Sequence, residues 1–156
     1  MKTMRYTLLA AALLGAQALL FSGAAAAADK VCKLEITGND QIQYSKKELS
    51  VAKDCTEVQL TLKHVGKLPR EAMGHNWVLV KAADVTAVAN AGMGAGLANN
   101  YIQPGDKRVI AHTKVVGGGQ SDTITFPTKG LAGESLMYLC TFPGHNALMR
   151  GTFKVG

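Results

Sequence analysis

Arginine-rich and lysine-rich runs are missing from this chain, and so is any array of basic residues interleaved with aromatics. That argues against a nucleic-acid partner. The formal charge of +6 is spread thinly and favours solubility. There is no internal repeat and no long linker, so the chain reads as one domain of ordinary size. Methionine-rich and histidine-rich tracts, which hold exchangeable metal, are missing too. Cysteine is scarce. There are three, an odd number, so at least one is left over.

The N-terminus reads differently from the rest. Lys2 and Arg5 precede an apolar run from Leu8 to Phe21, and Ala24 to Ala28 supply small residues suited to a cleavage site. This is the pattern of a secretory signal peptide. The run is short for a membrane span, and small residues rather than charges follow it. Cleavage is expected near Ala28, which gives a signal segment over 1–28 and a mature domain over 29–156. No cysteine sits at the junction, so no lipid anchor is expected. Losing Lys2 and Arg5 lowers the formal charge from +6 to +4.

Export sets the redox compartment, since disulfides persist outside the cytosol. Cys32 and Cys55 lie close in sequence near the mature N-terminus. A bond between them closes a loop of 24 residues, counted from 32 through 55, and contributes about 3 kcal/mol in the chain-entropy model. Cys140 then stays unpaired. An exposed thiol would be oxidised there, so Cys140 is expected to be buried or held by a metal.

Short strands and turns dominate the mature chain. VCKLEITG (31–38) alternates, with Cys32, Leu34 and Ile36 on one side. IQY, ELSV and EVQLTLKHVG follow with β-type composition. NWVLVKA reads as a buried strand, with Trp77 as a core aromatic. RVIAHTKVV, DTITFPT, SLMYLCTF and RGTFKVG complete the set, and GND, GKLP, QPGD, GGG and FPG mark turns. The segment from Ala82 to Tyr101 is rich in Ala and Gly. Asp84 is placed to cap a short helix ending near Ala91, with Gly92, Gly94 and Gly96 fraying it. Many short strands with one helix predict an all-β sandwich with a helical insertion.

The chemistry concentrates in CTFPGHNALM, from Cys140 to Met149. A thiolate (Cys140), an imidazole (His145) and a thioether (Met149) surround a Pro-Gly turn. Together they form a soft donor set suited to copper. A fourth ligand must come from His64, His75 or His112. His75, in MGHNWVLV, opens a buried strand and is well placed for an inward-facing ligand. Two His and one Cys with a weak axial Met describe an electron-transfer copper centre.

GHNWVL around His75, VIAHTK around His112 and CTFPGHNALM resemble the azurins, bacterial members of the cupredoxin family. KLEITGNDQIQY and the pair Cys32 and Cys55 fit the same pattern, and the likeness runs from about Cys32 to Val155. The Cys-x4-His-x3-Met spacing carries most of the specificity; plastocyanin-like relatives have Cys-x2-His. Two departures are visible: PTKGLAGESLMYLC, before the loop, is one residue shorter than is usual in azurins, and Tyr138 and Leu139 stand where aromatics are frequent.

The resemblance implies an eight-stranded Greek-key sandwich with a helical flap. It implies one type 1 copper held by His75, Cys140 and His145, with Met149 axial and the Gly74 carbonyl on the opposite side. It implies that Asn76 ties two loops together, and that the backbone amides of Asn76 and Phe142 donate to the Cys140 sulfur. His64 is then read as a structural histidine near the site and His112 as a surface residue. Pro143, Gly144, Ala147 and Leu148 surround His145, the natural electron exit if its ring edge reaches the surface. Leu68, Ala72, Met73 and Met93 are expected to complete an apolar docking patch there.

The function expected is that of a soluble, monomeric periplasmic carrier cycling one copper between Cu(I) and Cu(II). Its partners would be c-type cytochromes, reductases or dehydrogenases. Copper storage or delivery is the alternative. An enzyme with Cys140 as nucleophile is disfavoured: no oxyanion-hole motif accompanies the cysteine, and Met149 would have no role.

Overall fold

A computed structural model describes residues 30–156, so the expected signal segment and its cleavage site lie outside the described residues. The alternation over 31–38 folds as expected into strand β1 (Val31–Asn39). It runs parallel to β4 (Glu57–His64), in a register that sets Cys32 beside Val58 and Gly38 beside His64. β2 (Gln43–Tyr44) pairs with the end of β1, and β7 (Ser121–Pro127) runs antiparallel to β4. The first sheet therefore has the order β2-β1-β4-β7.

The second sheet is built from β3 (Glu48–Val51), β5 (Val78–Lys81), β6 (Ala111–His112), β8 (Leu136–Leu139) and β9 (Arg150–Val155). Its order is β3-β9-β8-β5-β6. Nine strand segments stand among the described residues where the resemblance implied eight. The chain between Gln43 and Val51 passes from one sheet to the other and pairs on both, β2 with β1 and β3 with β9.

Apolar residues at alternate positions close the space between the sheets, including Ile36, Val58, Leu60, Leu62 and Leu79, all with no exposed surface. Trp77 sits among them, its ring centroid 5.7 Å from Tyr138 and 5.8 Å from Phe126. Truncating one such side chain, as in Leu60→Ala, is expected to cost about 2–5 kcal/mol.

Two segments depart from their sequence reading. RVIAHTKVV forms only the two residues of β6 and an isolated bridge from Val116 to His75. Between them, side-chain oxygens take the place of ladder partners. Thr113 Oγ1 accepts the Trp77 amide at 2.9 Å, and Asp122 carboxylate accepts the Lys114 amide at 2.8 Å. Such local side-chain bonds compete with regular sheet pairing.

The flap helix α2 (Val85–Ala95) runs past Ala91 and through Gly92 and Gly94. A short 3-10 turn over 82–84 leads into it, and Asp84 makes no side-chain capping bond. Packing overrides propensity here. Val85, Val88, Ala89 and Gly92 are buried, and a Cβ on Gly92 would lie 2.2 Å from the Tyr101 carbonyl oxygen. The glycine that weakens the helix also lets it seat. A second, one-turn helix α1 (Arg70–Met73) follows Pro69, whose fixed φ of −69° suits a helix entrance.

Cys32 and Cys55 are bonded, and Cys140 is free and buried. The bond ties the start of β1 to the turn before β4. The variant Cys32→Ser/Cys55→Ser is expected to lose about 3 kcal/mol, a fall in Tm of roughly 10 °C. Calorimetry of the oxidised protein against this variant reads that difference directly.

Candidate metal centre

The ligand loop is shaped by its own backbone. Phe142, Pro143, Gly144 and His145 form a tight turn, closed by the His145 amide donating to the Phe142 carbonyl at 3.0 Å. Gly144 has φ +82°, a left-handed conformation that glycine adopts without strain. The Met149 amide then donates to the His145 carbonyl at 2.8 Å, and the Cys140 amide to the Met149 carbonyl at 2.9 Å. The loop thus returns Met149 to the strand end that carries Cys140.

His75 arrives from the other side. Its backbone exchanges two hydrogen bonds with Val116, and the next residues enter β5, which lies beside β8 in the second sheet. One ligand atom each from His75, Cys140 and His145 lies within 4.8 Å of the others, and all three residues are buried. Cys140 Sγ is 3.7 Å from His145 Nδ1. His75 Nε2–H donates to the Asn39 carbonyl at 2.8 Å, while its Nδ1 is buried with no hydrogen-bond partner. The first bond fixes the tautomer, so Nδ1 presents a lone pair. A buried acceptor without a partner is costly unless something binds it. A thiol and two imidazole nitrogens converging in this way fit a soft metal ion.

Residues 30–156 match the family model described as copper binding proteins of the plastocyanin/azurin family. The azurin of Bordetella pertussis (strain Tohama I) is 50% identical over 143 residues, covering 91% of this chain and 95% of the relative. Azurin-2 of Alcaligenes xylosoxydans xylosoxydans is 56% identical over 126 residues, covering 80% of this chain and 98% of the relative. The solved azurin Az-iso2 of Methylomonas sp. strain J superposes with a TM-score of 0.77 at 44% identity, covering 80% of this chain and 98% of that one.

The chain belongs to the plastocyanin/azurin family.

The family binds copper, and His75, Cys140 and His145 form a group that could hold one metal ion. Met149 is fully buried beside them. A Cβ on Gly38 would lie 2.6 Å from His75 Cδ2 and 3.3 Å from Met149 Cε, so Gly38 forms a floor beneath both side chains. Gly74 is buried as well, and a Cβ there would meet the Arg70 carbonyl oxygen at 2.4 Å.

Asn76 ties three segments together. Its side chain accepts the Thr141 amide at 2.9 Å and donates to Thr141 Oγ1 at 2.7 Å and to the Asn100 carbonyl at 2.8 Å. Asn100, at φ +54°, accepts the Val115 amide through its own side chain at 2.9 Å. The Tyr44 hydroxyl donates to the Asn76 carbonyl. The amides of Asn76 and Phe142 both reach the Cys140 sulfur.

Burial governs the ionisation of the site before metal enters. It pushes the Cys140 thiol up to about 12, against the opposing pull of those two amides. It pushes His75 and His145 down to about 4. The imidazoles are therefore neutral donors at neutral pH, and metal binding must displace the thiol proton.

The lowered histidines also give a pH dependence to the copper-free protein. The unfolded chain binds protons at these two histidines near pH 6.5 and the folded chain near 4. Stability is then complete above the unfolded value and falls as pH drops through the window between them. Chemical unfolding of copper-free protein across that range is expected to show the midpoint rising with pH and levelling off above about 6.5. A midpoint that falls as pH rises would contradict it.

The remaining histidines separate clearly. His64 is buried against the site, its ring stacked on His75 at 4.4 Å with a 9° interplanar angle. Its Nδ1 accepts the Gly66 amide at 3.0 Å and its Nε2–H donates to the Met73 carbonyl at 2.9 Å, so both nitrogens are taken. His112 is exposed, on β6. His145 is 4% exposed, and Phe142 stacks on its ring at 4.6 Å. Pro143, Gly144, Ala147 and Leu148 are exposed around it, and Met93 shares a cleft of about 220 Å³ with Pro143 and Gly144. Leu68 and Ala72 are exposed and Met73 is half-buried, on the segment leading to His75.

Sequence reasoning missed Gly38, Asn39, Asn100 and Thr141. Gly38 closes the alternating segment VCKLEITG and opens the turn signal GND, and neither pattern points to a place beside the ligands.

Proposed function

We propose that this protein carries single electrons in the bacterial periplasm through one copper ion. His75, Cys140 and His145 would hold the ion, with Met149 and the Gly74 carbonyl as weaker axial donors. The observation that carries the reading is the closed, pre-set donor group: three buried ligands, one orphaned nitrogen, a hydrogen bond that fixes the His75 ring, Phe142 stacked on the His145 ring, and two backbone amides beside the sulfur. Bound there, copper supplies a reversible one-electron couple. The chain's part is to hold the donors still. Asn76 locks the two ligand-bearing segments, and outer contacts of this kind tune a metal site.

Burial argues against the other readings. A nucleophilic Cys140 would need access for substrate, yet it is fully buried with its sulfur facing two backbone amides. Storage or delivery needs exchangeable ligands at the surface, and these lie inside. The exposed loop around His145, with Met93 and Leu148, is the face proposed for contact with c-type cytochromes, reductases or dehydrogenases. The protein acts as a monomer in this reading.

An anaerobic reductive titration tests it. The visible colour of the copper-loaded protein is expected to bleach with one electron per copper and return on reoxidation. Copper that is lost on reduction, or a colour that does not cycle, would favour delivery over electron transfer.

A further inference from the structure

The charges at the ligand-loop end are unevenly matched. Lys47 Nζ donates to the Leu148 carbonyl at 2.7 Å, which places its ammonium against the residue preceding Met149. Arg150 follows Met149 at the exposed start of β9. Lys67 flanks the exposed Leu68, on the turn after β4 whose His64 stacks on His75. Among the described residues, no carboxylate forms an ion pair with any of these three.

The carboxylates nearby are already engaged. Asp40 accepts the Lys67 and Leu68 amides, Glu48 pairs with Lys154, and Glu71 pairs loosely with Arg70 at 3.7 Å. Asp40 keeps its charge, since the amides it accepts are neutral, so three cations stand against one carboxylate at this end, beside the exposed Leu148 (56%) and Met93 (52%).

We propose that Lys47, Lys67 and Arg150 form a cationic rim that docks a redox protein whose own face is ringed by carboxylates. This rests on the carrier reading above and adds the chemistry of the partner. Opposite charge around an apolar centre steers encounter and orients the pair, while the apolar contact gives a short-lived complex. A second copy of this chain would set the same cations against each other, so the rim opposes self-association at this face. A lysine-ringed cytochrome would be repelled for the same reason.

The test separates binding from electron transfer. Copper(I) protein labelled with nitrogen-15 is titrated with a ferrous c-type cytochrome of acidic surface, then with one of basic surface, so no net electron moves. The acidic cytochrome is expected to shift amide signals around residues 47, 67 and 143–150. Its affinity should fall at least about tenfold as salt shortens the Debye length from about 30 Å to about 8 Å. Lys47→Gln/Lys67→Gln/Arg150→Gln is expected to weaken binding by about tenfold at low salt and flatten the salt dependence. Lys67→Gln/Arg150→Gln, which keeps the Lys47 bond to the loop, should show a smaller loss of the same kind.

Equal or tighter binding of the basic cytochrome would overturn the proposal. So would unchanged affinity in both variants, or binding to anionic phospholipid vesicles with none to the acidic cytochrome. Stopped-flow reduction of the ferric cytochromes is read separately. One electron leaves the reduced protein and one haem iron goes from ferric to ferrous. Failure with both cytochromes would count against the carrier reading while leaving the binding map to stand or fall alone.

Discussion

Cys140→Ser is expected to abolish the intense visible colour of the copper-loaded protein while leaving the fold in place. The colour of such a centre depends on charge transfer from a thiolate, and Cys140 is the free cysteine of the domain. A serine oxygen is a hard donor and a poor match for Cu(I). The loss of Cu(I) affinity should exceed the 10–100-fold that losing an outer contact typically costs, by about tenfold or more. The fold survives because the new hydroxyl is not stranded. The Asn76 and Phe142 amides that face the sulfur remain to bond the oxygen, and a satisfied buried polar group changes stability by only about 1 kcal/mol. Absorption after copper loading, with far-ultraviolet circular dichroism as the control for folding, gives both readouts. Full colour in the serine variant would mean that the chromophore is not the Cys140 thiolate, and the copper assignment would fail.

The parts of this site that were legible from sequence are local. Cys140, His145 and Met149 lie in one short loop, and a Pro-Gly turn is enough to suggest that they converge. His75 was different. Spacing left it level with His64 and His112; its place at the start of a buried strand favoured it, and the likeness of GHNWVL to the azurins singled it out. Topology explains why. The position of His75 depends on β5 lying between β8 and β6 and on its bridge to Val116, which are contacts between distant segments.

The strands were readable wherever one face was buried, as in β1 and β4. RVIAHTKVV misled because its β-type composition says nothing of Thr113 and Asp122, whose side chains take over the backbone amides. The flap glycines misled for a related reason. Propensity marks Gly92 as a helix breaker, but the Tyr101 carbonyl passes too close for any other residue. In each case a distant neighbour decided a local question.

Gly38→Ala is expected to be the most disruptive change at the centre that touches none of the liganding residues. Gly38, the last residue of the alternating segment 31–38, lies within β1, paired to both Tyr44 and His64. Its φ is not in the left-handed region, so alanine meets no backbone objection. The obstacle is the His75 ring. The added methyl would lie 2.6 Å from Cδ2 and 3.2 Å from Cγ. The ring has little room to yield. His64 stacks on it at 4.4 Å, and its Nε2–H is held by the carbonyl of Asn39, the residue after Gly38. Relief must move Nδ1 away from Cys140 and His145, or shift β1 itself. Overpacking of this kind costs about 1–3 kcal/mol, and copper affinity should fall by about 10–100-fold. Gly94→Ala is the matched control. No atom lies within 4 Å of a Cβ there, and the position is inside α2, so the change should stabilise the protein by about 0.4–1 kcal/mol and leave the colour unchanged. If Gly38→Ala instead keeps full affinity and an unaltered spectrum, His75 does not depend on the floor beneath it. The rigidity assigned to the centre would then have to come from the Asn76 network alone.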